Sequence, residues 1–109
     1  MTFKFDQFIE TVKTGTAEIA RQEASRFVDE VRRDGMSFLS DSQVMLMRWT
    51  DQLAKGTLEK DDFEFLVKGL RDLAKMQALT EAGLAAAKID RIRVAIERLI
   101  VDSAMKLIA

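Results

Sequence analysis

The sequence predicts an all-α protein, an elongated bundle of three or four helices completed by oligomerisation, and three observations carry that prediction. Apolar residues recur at three- and four-residue steps along most of the chain, and no segment sustains the alternation of a strand. Proline is absent, so nothing forces a helix to break. Charged residues make up 32% of the chain and fall between the apolar ones, as on the outer faces of amphipathic helices.

Residues 1–109 read as a single helical domain. A first helix is expected over about residues 4–34, where Phe5, Phe8, Val12, Thr16, Ala20, Ala24, Phe27 and Val31 follow one stripe. Gly15 is its weak point, since an interior glycine costs about 1 kcal/mol relative to alanine. Gly35 follows Arg32, Arg33 and Asp34 and suits a left-handed cap at that helix's end. After a short connection from Met36 to Leu39, Ser40 with Gln43 three residues on reads as a capping box. The second helix would then run to about Lys55 and end at Gly56. From Glu59 the chain reads as helix to its end, and Thr80 and Gly83 mark the best place for a break. An unbroken helix from Lys60 to Ile108 would be roughly 73 Å long at 1.5 Å per residue, which would demand partners.

Composition narrows the function classes. Leu, Ile, Val and Phe number 11, 7, 7 and 7, enough for a core. Lys and Arg total 17 against 18 Asp and Glu, so no strong field draws the chain toward nucleic acid or an anionic membrane. The last 26 residues carry a net charge of +2 and no more. Cysteine and histidine are absent, which removes thiolate chemistry, the commonest general base and the commonest transition-metal ligand. The opening residues, Met1 to Asp6, lack the pattern of a secretory signal, and no apolar run approaches the ~20 residues of a membrane span. A soluble cytoplasmic protein is expected.

The sharpest local motif surrounds Gly56. Counting from Asp51, Gly56 and Asp62 occupy the glycine and terminal acidic positions of a calcium-binding loop between two helices. Leu53 and Lys55 stand at two ligand positions, however, and neither side chain donates an oxygen. A plain helix–turn–helix corner is the favoured reading, with Gly56 as cap and Leu58 against the core. Glu59, Asp61, Asp62 and Glu64 then suit the positive end of the next helix without a metal. Lys88, Arg91, Arg93 and Arg98 are interleaved with Asp90, Glu97 and Asp102, and read as a salt-linked outer face, with Glu97 on Arg93 and Asp102 on Arg98. The serines have no histidine and no glycine elbow around them, and no phosphate-binding loop is present. Neither a catalytic site, a cofactor nor a metal is expected.

Small residues carry the strongest functional signal. Gly69, Met76 and Gly83 return to one side of a continuous helix, and the small residues there permit close approach of another helix, either within the chain's own core or across a seam between chains. The final segment adds a second apolar row, Val94, Val101, Met105 and Ile108, beside the row from Ile89 to Leu107. A helix apolar on two sides is either the centre of its bundle or the seam with another subunit. These seven residues are the expected oligomer interface, with a dimer favoured. The function expected is a non-enzymatic scaffold or adaptor acting through self-association. The alternative is an amphipathic coat for lipid or an apolar particle, inserting Phe3, Phe5 and Phe8 first, although this segment's net charge is −1 where membrane-surface helices carry an excess of Lys and Arg.

Overall fold

Helix α1 (Phe5–Glu23) buries Phe8, Val12, Thr16 and Ala20, four residues at one-turn intervals along a single side. In the computed structural model, which describes residues 4–108, this face meets α2 (Val28–Lys55) and α5 (Ala86–Ile108). Between α2 and α5 lie α3 (Lys60–Leu73) and the five-residue α4 (Gln77–Glu81). The described residues are 88% helical and contain no strand. The molecule measures 43 × 22 × 19 Å. At 1.5 Å per residue the 28 residues of α2 span about 42 Å, so this one helix sets the long dimension.

The chain reverses earlier than its apolar stripe implies. Helix α1 stops at Ala24, a 3-10 turn covers Ser25–Phe27, and α2 then continues through both Gly35 and Ser40. The expected helix over 4–34, the cap at Gly35, the Met36–Leu39 connection and the Ser40 capping box are all corrected by this. No breaker marks the true turn; Ala24 adopts φ −153° and is buried, a position where a larger side chain would be crowded. Gly35 serves packing instead. A Cβ there would lie 2.7 Å from Thr16 Cγ2, and the Thr16 hydroxyl already donates to the Val12 carbonyl at 2.7 Å. Gly15 plays the same part against α5, where a Cβ would meet Leu99.

The corner at Gly56 forms as expected. Gly56 is left-handed at φ 78°, the amides of Thr57 and Leu58 donate to the Gln52 carbonyl, and Leu58 packs against the core. Beyond it the long C-terminal stretch breaks twice. Gly83, at φ 87°, makes the break the sequence marks. The other falls at Ala74–Met76, where Met76 is left-handed at φ 50° although it is not a glycine.

Helix α5 packs against all four other α-helices, as α2 does. It buries Ile89, Ile92, Ile96 and Ile100 along one row and Val101, Ser103 and Ala104 beside it. Of the two explanations for its double apolar face, the intrachain one therefore covers most of the surface. No helix is long and apolar enough to cross a membrane among the described residues.

Candidate interaction surface

Helix α3 buries few of its apolar residues and, with α2, whose Val44, Met45 and Met47 are also exposed, leaves large hydrophobic side chains outside the core. Only Phe63 and Val67 of α3 are buried, against nine residues in α2 and seven in α5. Leu66 and Leu70 are half-buried, while Phe65 and Leu73 are 74% and 79% exposed. The helix starts well, with Asp61 and Asp62 in its first turn, where the macrodipole favours negative charge. It ends at Leu73 because Ala74 turns extended.

Polar contacts join the burial of Phe63 and Val67 in holding α3 to the bundle. Arg71 Nη1 donates to Glu97 Oε1 at 2.6 Å, with both side chains less than a fifth exposed, and Arg71 also donates to Asp72. Burial alone would lower the Arg71 pKa, but Asp72 and Glu97 outweigh it and hold the guanidinium above its ordinary value. Arg93 Nε donates to the Ala74 carbonyl at 3.0 Å, closing the C-terminal end of α3. Glu97 thus pairs with Arg71 rather than with Arg93, whose carboxylate partner is Asp90, and no Arg98–Asp102 bridge forms. Lys88 and Arg91 reach Glu23 at the end of α1. The basic residues of α5 are thus largely ion-paired or capping, as a structural face requires.

On the other side of α3 lies a groove of about 360 Å³ against α2, lined by Phe38, Met45, Leu70, Leu73 and the α4 approach. At its base, the buried Asp34 carboxylate accepts the backbone N–H groups of Ala78 and Leu79, each at 2.9 Å. It is an N-terminal cap for α4 supplied by a helix 44 residues away.

The seven residues expected as an interface do not share one surface. Gly69, Gly83 and Val94 are exposed, Met105 and Ile108 are half-buried, and Met76 and Val101 lie in the chain's own core. Breaks at Met76 and Gly83 also destroy the single helical side on which Gly69, Met76 and Gly83 were aligned. Phe65 and Leu73 are the most exposed large apolar residues among the described ones, and sequence reasoning missed them. Their signal was present in the seven apolar or glycine positions of α3 after Lys60, from Phe63 to Leu73, which run more than halfway around a helix. The residues of the alternative coat reading are split as well: Phe8 is buried, Phe5 packs 5.6 Å from it, and Phe3 lies outside the described residues.

No group of three or more acidic side chains converges on a metal-sized site among the described residues. At the Gly56 corner, Asp51 is paired with Lys55 at 3.0 Å, which puts an ammonium where a calcium ion would need oxygen. Millimolar calcium is accordingly expected to leave the thermal midpoint unchanged. Saturable heat on calcium titration, lost in Asp62→Ala, would contradict this.

The fold and this surface define a small all-α bundle with an incompletely covered third helix. No protein family, curated protein or solved structure matches the chain.

Proposed function

We propose that this protein is a non-enzymatic helical adaptor that works by self-association, with a dimer as its first assembled state. The observation that carries the reading is the exposure of Phe65 and Leu73 on a helix whose buried face is only two residues deep. Each such side chain gains about 1.5–3 kcal/mol when removed from water, and large apolar groups clustered on one helix mark contact surfaces in small proteins. The balanced charge of the chain, −1 overall, does not oppose approach of a second copy.

Sedimentation equilibrium tests it. The full chain, 12.4 kDa, is expected to approach twice that mass at high micromolar concentration. Leu73→Glu is expected to return it to monomer while far-ultraviolet circular dichroism keeps its helical signal, because Leu73 is not part of the core. A chain that stays monomeric at every concentration would overturn the self-association reading.

A further inference from the structure

We propose that two copies of this chain pair through α3, antiparallel, with the helices crossing at Gly69. The inference rests on the self-association reading and adds its surface, its direction and its axis. Phe65 and Leu73 stand four residues to either side of Gly69, and both are largely exposed. A Cβ at Gly69 would meet nothing within 4 Å, so its backbone faces open space. Glycine at a crossing point lets two helices approach more closely than any other residue allows.

Symmetry then decides the direction. About a two-fold axis at Gly69, an antiparallel partner places its Leu73 on Phe65 and its Phe65 on Leu73, so one contact is made twice. A parallel pair would instead stack Phe65 on Phe65 and Leu73 on Leu73, and would align the two helix dipoles unfavourably. Charge gives the same answer. Asp62, in the first turn, lies about 10 Å before Gly69 at 1.5 Å per residue, and Lys75 lies just past the other end of the helix. Neither side chain has an ion-pair partner in the chain among the described residues. The antiparallel arrangement brings Asp62 of each copy toward Lys75 of the other, while a parallel one sets like charges together. A second copy is thus complementary to this face in apolar pairing and in charge. A seam of 14 residues is short, so the dimer falls in the weak class of interfaces, with dissociation on the order of micromolar or above.

The chain has no cysteine, so a single introduced thiol reports the axis. Gly69→Cys is expected to form an interchain disulfide under mild oxidation at least tenfold faster than Val44→Cys, an exposed control on α2. A disulfide needs Cα atoms roughly 4.4–6.8 Å apart, which a crossing at this residue supplies. Because a new Cβ could itself spread the helices, a second arm uses charge. Lys75→Glu is expected to raise the dissociation constant about fivefold, and Asp62→Lys in the same chain to restore it. If the unmodified chain dimerises but Gly69→Cys links no faster than the control and the charge exchange restores nothing, the seam is elsewhere and this inference is wrong. If the unmodified chain never dimerises, the self-association reading itself has failed, and the inference with it.

Discussion

Replacing Asp34 with alanine is expected to lower the thermal midpoint by roughly 10–20 °C. The carboxylate gives one oxygen to the Ala78 N–H and the other to the Leu79 N–H, and Leu79 is fully buried. Removing it leaves the buried Leu79 N–H and the half-buried Ala78 N–H without their acceptor. A buried orphan costs about 1–3 kcal/mol and the half-buried Ala78 donor less, so a total near 2–4 kcal/mol is expected. In a domain of this size 1 kcal/mol shifts the midpoint by about 4–8 °C, with larger domains at the low end. The loss is concentrated by Met76, which precedes α4 in a left-handed conformation that a non-glycine residue adopts only at a cost of about 1–3 kcal/mol. Asp34 is the contact that holds α4 in place against that strain. Asp34→Asn keeps one acceptor and turns an amide N–H toward the other donor, so it recovers at most half of the loss. Thermal melts of the three proteins, with hydrogen exchange at Ala78 and Leu79, check the ordering. An alanine variant with the wild-type midpoint would mean that α4 is capped by something other than Asp34.

Val101→Glu is expected to unfold much of the protein instead of merely separating subunits. Val101 is 6% exposed and sits beside Ser103 and Ala104, which are also buried. An unpaired carboxylate placed there forfeits its hydration, at several kcal/mol, against a total stability of about 5–15 kcal/mol for a typical domain. The urea midpoint should fall by about half or more. Trp49, the one tryptophan and partly buried, provides the fluorescence signal. The contrast with Leu73→Glu is the informative part: the same charge at a 79% exposed position should leave the fold intact. If Val101→Glu remained as stable as the parent chain and became monomeric, α5 rather than α3 would be the seam.

The surface on α3 was half legible. Gly69 stands out in the sequence as a small residue on a helix, but the heptad spacing aligns it with Met76 and Gly83 only if the helix continues. That alignment fails at Met76, where no local signal announces a break. Arg93, 18 and 19 residues away, donates to the Lys75 and Ala74 carbonyls, and Asp34, 44 and 45 residues away, receives the amides of α4. Contacts at that range do not register in any window of the sequence.

By itself the sequence determined the helical class, the amphipathic stripes, the Gly56 corner and the break at Gly83. All of these rest on interactions within a few residues: hydrogen bonds four positions apart, the recurrence of apolar side chains, and the ease with which glycine takes a positive φ. The tertiary structure alone decided three other things, namely where α1 reverses, which face of α5 is core, and which apolar residues remain outside. The stripe through Ala24, Phe27 and Val31 is as good a helix as any other in the chain. It breaks because antiparallel packing of α1 on α2, with Gly35 against Thr16, buries both stripes at once. Val101 is covered for the same kind of reason: α5 has neighbours on several sides. Phe65 and Leu73 stay exposed because α3 lies at the bundle's margin, and periodicity does not distinguish a face turned to a neighbour from one turned to water.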